Sequence, residues 1–146
     1  MDRRFTMPEN GNGVFWYSYK YGSAYIISIS PEHDLSKSSN QYNWLKAELQ
    51  SVDRSETPWL IVMSHRPLYE PEMILKELTT IEHIREEIED LMHDFSVDLF
   101  LSGHYHSYFR SCSGLFQGEC HNGGTQYVTV STSRFCFKNP IYSTIP

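Results

Sequence analysis

The chain has 146 residues, enough for one domain with its own core. Its hydrophobic content of 40% and aromatic content of 14% exclude a disordered chain, and a net charge of -6 without any Lys/Arg run excludes a general binder of nucleic-acid backbones. No stretch reaches the ~18 consecutive apolar residues of a membrane span, and the start, Met-Asp-Arg-Arg-Phe-Thr-Met-Pro, lacks the apolar core of a signal peptide.

The first elements read as a β-hairpin. Residues 14–19 (Val-Phe-Trp-Tyr-Ser-Tyr) are aromatic and β-prone, Tyr21-Gly22-Ser23 supplies a turn, and residues 24–30 (Ala-Tyr-Ile-Ile-Ser-Ile-Ser) form the returning strand. Pro31 to Asn40 is a polar loop in which His33 is expected to be solvated. Tyr42, Leu45, Leu49 and Val52 recur at helical spacing, so 41–52 is a helix capped by Ser39 or Asn40. Trp59-Leu60-Ile61-Val62-Met63 is a continuous apolar run, as in a strand buried on both faces, and Ser64-His65-Arg66-Pro67 follows it directly. Pro71 to Leu78 fits no single element. Thr79 with Glu82 matches a capping box, opening a helix 80–93 with Ile81, Ile84, Ile88 and Leu91 on one stripe. On that helix His83 and His93 read as surface residues, and Glu86, Glu87, Glu89 and Asp90 as a solvated face.

Val97, Leu99 and Leu101 then mark a second buried strand. It ends at Gly103, which permits a sharp turn, and His104-Tyr105-His106 follows. Strand 59–63, helix 80–93 and strand 97–101 make one βαβ unit with parallel strands and a right-handed crossover. That topology delivers His65, His104 and His106 to one edge of a sheet, where α/β proteins hold ligands. Neutral imidazoles are metal ligands, so the three form a candidate metal site. Two histidines one residue apart are not expected to share an ion. The expectation is two metals, His104 on one and His106 on the other, an arrangement suited to in-line displacement at phosphorus. No Asp or Glu stands in an obvious strand-end position to complete it.

Three cysteines remain. Cys112 and Cys120 bracket a short loop and can close a disulfide, which implies an oxidising compartment. The alternative is a zinc site of Cys112, Cys120 and His121, though it lacks CxxC spacing. Cys136, between Phe135 and Phe137, reads as a buried thiol. Thr125 to Ser131 alternates as a further strand. No repeat, low-complexity tract or second domain is evident.

Several stretches together resemble a known family. Arg4-Phe5-Thr6-Met7-Pro8 with Phe15-Trp16-Tyr17-Ser18-Tyr19, Gln41 with Trp44 and Leu45, Thr57-Pro58-Trp59, Val62-Met63-Ser64-His65-Arg66-Pro67-Leu68-Tyr69, Gly103-His104-Tyr105-His106 and Gly123-Gly124-Thr125-Gln126-Tyr127-Val128-Thr129-Val130 follow in the order seen in purple acid phosphatases. These belong to the calcineurin-like metallophosphoesterases. The resemblance spans nearly the whole chain. It implies an α/β metallophosphoesterase fold, a β-sandwich flanked by helices in four layers, of which residues 1–146 form a single partial domain incomplete at both ends. It implies a dinuclear centre of Fe with Fe, Zn or Mn, in which His65 and His104 ligate the second metal and His106 the ferric one. The implied reaction is hydrolysis of a small phosphate monoester at acidic pH, in a secreted, lysosomal or vacuolar setting.

The departures define what is expected of this chain. The family's Asp-x-Gly, Gly-Asp-x-x-Tyr and Gly-Asn-His-Asp/Glu motifs do not occur, and Asn12 falls on the wrong side of the Arg-Phe-x-Met-Pro stretch to replace an asparagine ligand. Phe109 stands where the family commonly has Glu. Ser131-Thr132-Ser133 replaces glycines, and no histidine follows Tyr69 closely enough to be named a general acid. Arg66 suits either the phosphate or the loop's own structure. The chain is therefore expected to carry the histidine half of an acid phosphatase site and to be inactive alone, its partner being a missing N-terminal half or further copies of itself. The alternative is a non-catalytic, shortened metallophosphoesterase-like protein acting as a binding or interaction module. No nucleic-acid or membrane partner is expected.

Overall fold

The computed structural model describes residues 4–69 and 75–130, with side chains of the second helix described from residue 80 onward. Cys136, residues Glu70 to Ile74 and the tail from Ser131 lie outside the described residues.

β1 (Tyr17–Tyr21) and β2 (Ala24–Ser28) form the expected antiparallel hairpin, with Tyr21 opposite Ala24. Gly22 takes φ 56 at the turn, a conformation open to glycine without steric cost. α1 (Asn40–Ser51) is capped by Ser39, whose hydroxyl accepts from the Tyr42 amide at 3.1 Å. That decides between the two candidate caps. Gln41, Leu45 and Leu49 are its buried residues.

β3 (Trp59–Ser64), α2 (Leu75–Asp94) and β4 (Leu99–Ser102) give the βαβ unit with parallel strands. Two details differ from expectation. α2 begins at Leu75, so Thr79 lies a turn inside it and is not a cap. β4 begins at Leu99, and Val97, fully buried, belongs to the bend that feeds it. Asp98 fixes that bend by accepting from the Leu60 amide at 2.7 Å and from Arg54 Nη2 at 2.8 Å.

β5 (Phe109–Arg110), β6 (Leu115–Phe116), β7 (Glu119–Cys120) and β8 (Gln126–Thr129) follow among the described residues. The main sheet runs β1-β2-β3-β4-β8-β5, parallel from β2 to β8 with antiparallel strands at both edges. β6 and β7 pair as a separate hairpin. The Cys112–Cys120 disulfide closes its base, with Cα atoms 6.1 Å apart, as one of the two sequence readings anticipates.

The two sheet faces differ sharply. Ile27, Leu60, Val62, Phe100 and Tyr127 point to one face, are at most 3% exposed, and join Leu45, Leu49, Ile84, Ile88 and Met92 of the helices in a single core. Glu48 of α1 adds polar anchors, accepting from Ser18 Oγ at 2.6 Å and Tyr25 Oη at 2.7 Å. The register places Ile26, Ile61 and Leu99 in one row on the opposite face, and Met63 and Leu101 in the next. There Trp59 is 58% exposed and Met63 38%, while Tyr19 and Tyr21 extend the same surface from β1. The described residues thus form one helical layer on one sheet, two of the expected four layers.

Glu89 departs from the expected solvated face. It is 6% exposed and accepts from Tyr69 Oη and, at 3.0 Å, from the Gln117 amide. The Gly118 amide donates to Tyr69 Oη at 3.1 Å, the Tyr69 ring meets Tyr127 edge-on, and Arg85 lies 5.1 Å over it. The position of Glu89, four residues from Arg85 and three from buried Met92, puts it on the flank of the apolar stripe rather than opposite it. His93 stacks on Phe116 at 4.1 Å.

Two outcomes are expected. An apolar sheet face of this extent favours association, so the isolated chain should elute from size exclusion as oligomers. Trp59→Lys with Met63→Lys should shift it towards monomer without lowering its melting temperature; an unshifted oligomer would rule out this face. The second concerns Tyr69 and Tyr127. Burial first, and then Glu89, raises both phenols above their ordinary value of 10.0. Raised folded values favour the neutral form, so their contribution is complete below about pH 10 and declines as pH rises beyond it. Urea unfolding should show stability falling above about pH 10, with a shallower fall in Tyr127→Phe.

Candidate metal centre at the ends of β3 and β4

The parallel pairing of β3 with β4 continues one step past both strands. Ser64 is in register with Ser102, and the Gly103 amide donates to the His65 carbonyl at 3.1 Å. The two chains therefore leave the sheet side by side. Immediately afterwards His104 adopts φ 67, and the Tyr105 amide returns to the Gly103 carbonyl at 2.8 Å. Together these are the marks of a γ-turn of the rare positive-φ kind. Left-handed geometry costs a non-glycine residue roughly 1–2 kcal/mol and is found where surrounding structure enforces it, often at ligand clamps.

The turn's result is local and definite. His104 Nδ1 lies 3.0 Å from His65 Nε2, with the rings nearly perpendicular at 89°. Two nitrogens bound to one tetrahedral zinc-like cation at about 2.0–2.1 Å each lie about 3.3 Å apart, so a small opening of this hydrogen-bonded pair would admit a shared cation. Tyr105 is buried at 5% exposure, while His106 is exposed. A fully extended 104–106 segment would place both histidines on one side. The turn at His104, rather than extension, is what separates their roles. Among the described residues no group of three His, Cys, Asp or Glu side chains forms a ligand set. The structure therefore brings together His65 and His104 and leaves His106 outside that pair.

Arg66 and Glu32 complete the surroundings. Arg66 Nη1 is 3.5 Å from His104 Nε2, and Arg66 Nε donates to Glu32 Oε1 at 2.8 Å. The Arg66 guanidinium, aided by the two histidines, holds the Glu32 carboxyl below the usual carboxylate range. Glu32 comes from the loop after β2. Gln41 pins that loop, its side chain accepting from the Ser30 amide at 2.7 Å and donating to the Ser30 carbonyl at 3.0 Å. Sequence reasoning missed this carboxylate because β2 was read only as a hairpin partner. Its parallel pairing with β3 sends residues 29–33 to the same edge as His65. His33, expected to be solvated, stays exposed but bonds Ser30 Oγ at 2.8 Å and packs on Phe15 at 4.6 Å.

Beside the pair runs a groove of about 380 Å³, lined by Phe15, Ser30, Glu32, Met63, Ser64 and His65 among others. Ser64 Oγ, on this groove, is a buried side-chain oxygen with no hydrogen-bond partner among the described residues. Paired imidazole nitrogens beside such a hydroxyl suit a cation and its polar ligands.

Residues 5–108 match the calcineurin-like phosphoesterase family. An acid phosphatase of Aspergillus ficuum is 35% identical over 73% of this chain and 24% of its own length. The Fe(3+)-Zn(2+) purple acid phosphatase 12 of Arabidopsis thaliana is 39% identical over 74% of this chain and 23% of its own. The solved purple acid phosphatase from yellow lupin (Lupinus luteus) seeds superposes with a TM-score of 0.77 at 33% identity, covering 86% of this chain and 24% of that one. The chain thus spans about a quarter of the length of the curated relatives it matches. With the matched segment containing both β3 and β4 and the histidine pair at their ends, this chain belongs to the calcineurin-like phosphoesterases, and its relatives there include purple acid phosphatases.

Proposed function

We propose that the chain supplies the histidine half of a dinuclear metal centre that hydrolyses phosphate monoesters. The observation carrying this reading is the 3.0 Å approach of His65 Nε2 to His104 Nδ1 at the ends of neighbouring parallel strands. His65 and His104 would hold one ion and His106 the other, with the remaining ligands supplied from outside these residues. The metals are Fe with Fe, Zn or Mn, a choice supported by the Fe(3+)-Zn(2+) relative. When bound, such ions supply Lewis acidity for water activation and charge neutralisation at phosphate. Arg66, whose Nε donates to Glu32 and whose Nη1 lies 3.5 Å from His104 Nε2, would bring positive charge beside the site to attract a phosphate oxyanion. The Cys112–Cys120 disulfide supports a secreted or vacuolar setting.

A second reading has its own support. Among the described residues no third ligand joins the pair, and the open sheet face is apolar, as in a non-catalytic interaction module. Both readings expect the isolated chain to be inactive on an aryl phosphate after loading with iron and zinc. Robust turnover abolished by His104→Ala would contradict that expectation.

Metal binding separates the two. The proposed centre requires the chain to bind one Zn²⁺ in calorimetry, with affinity falling at least on the order of tenfold in His65→Ala and in His104→Ala. Equal affinity in all three proteins would leave the interaction-module reading in its place.

A further inference from the structure

The segment that carries His65 is pinned at both ends. At its start the His65 carbonyl is tied to β4 through the Gly103 amide. At its end stands Tyr69, after buried Pro67 and Leu68. Tyr69 is 4% exposed, and its hydroxyl is shared between two distant parts of the chain. It donates to Glu89 on α2 and accepts from the Gly118 amide at the tip of the β6–β7 hairpin.

That tip is specialised for gripping acceptors. Gln117 and Gly118 take φ 50 and 81, the two positive values of the hairpin turn that matches strand twist. Their consecutive amides point at Glu89 and Tyr69, at 3.0 and 3.1 Å. A non-glycine residue at positive φ is strained, and a carboxylate accepting its amide offsets that cost. The disulfide at the base of the hairpin holds the tip in this geometry.

We propose that Tyr69, gripped by Glu89 and the tip of the disulfide-closed hairpin, is a positioning residue for the metal ligand His65. The proposal rests on the metal reading for its consequence at the site, and on geometry alone for the grip. Without the grip the 65–69 segment loses its hydrogen bonds to α2 and the hairpin, keeping the Gly103 bond, the Arg66–Glu32 pair and the packing of Leu68, and the His65 ring is held less firmly in its approach to His104. Tyr69 touches neither histidine in this role; it acts through the backbone between them.

The test uses the full chain with Cys136→Ser, so that only the hairpin cysteines remain. Variants are Tyr69→Phe, Glu89→Leu, Cys112→Ser with Cys120→Ser, and Gln117→Gly, which keeps the gripping amide while removing the strain. Leu49→Ala serves as a core control remote from the segment. Hydrogen–deuterium exchange of a peptide spanning 65–69 is read without metal, and Zn²⁺ affinity is read by calorimetry. The first three variants are expected to speed exchange several-fold and weaken Zn²⁺ binding several-fold. Tyr69→Phe combined with the cysteine pair should be no worse than either alone. Gln117→Gly and Leu49→Ala should leave both readouts unchanged, although Leu49→Ala lowers the melting temperature. Unchanged exchange in folded Tyr69→Phe and Glu89→Leu overturns the proposal, as does Leu49→Ala matching their losses. If wild type binds no Zn²⁺ through the histidines, the metal reading fails, and the exchange data alone decide whether the grip exists.

Discussion

The parallel ladder between β3 and β4 is the constraint on which the rest depends. Four registered pairs, Ile61 with Leu99 through Ser64 with Ser102, fix the relative height of the two strand ends. The Gly103–His65 backbone bond extends that height by one residue, and only then does the turn at His104 swing its ring across. A slip of one residue would send either Val62 or Phe100, both fully buried, to the open face and would part the histidines at the same time. The core and the candidate site are therefore set by one register. Burial of large side chains on the helix face, each contributing roughly 1.5–3 kcal/mol, is what makes that register costly to change.

Around this frame, polar side chains do the positioning that strands cannot. Gln41 fastens the loop of Glu32, Asp98 fastens the entry to β4, and Asn10 ties the chain before β1 by accepting from the Ser18 amide at 3.1 Å and donating back to its carbonyl at 2.8 Å. Each meets backbone groups that would otherwise be unpaired near the core, where an unmet donor or acceptor costs about 1–3 kcal/mol. The loop that carries Glu32 to the site is thus held to the scaffold by a side chain rooted in α1. Glu89 and Tyr69 repeat the device on the other side of α2.

How far the sequence revealed this follows from periodicity. The apolar runs at 59–63 and 97–101 and the helical stripe of Ile81, Ile84, Ile88 and Leu91 identified the βαβ unit, and that unit alone brings His65 to His104. Glu32 was hidden because a strand's second neighbour leaves no mark in its own residues: β2 reads the same whether or not it also pairs with β3. Glu89 was hidden because a run of four acidic residues looks uniformly solvated, although its spacing from Met92 puts it beside the core. The turn at His104 has no sequence signature at all, since histidine has no intrinsic preference for positive φ comparable to that of glycine. The missing carboxylate motifs, by contrast, were fully legible as absences from the chain.

The histidine pair is separated by 39 positions, all inside a single strand-helix-strand unit. The ladder, the Gly103 bond and the turn that set its spacing belong to this unit and its strand ends, and Tyr69 ties the unit to the hairpin tip beyond it. Because both nitrogens hang from one ladder, a disturbance of β3 or β4 displaces the two together, whereas Glu32, carried by the loop after β2, rests on its own anchor to Gln41.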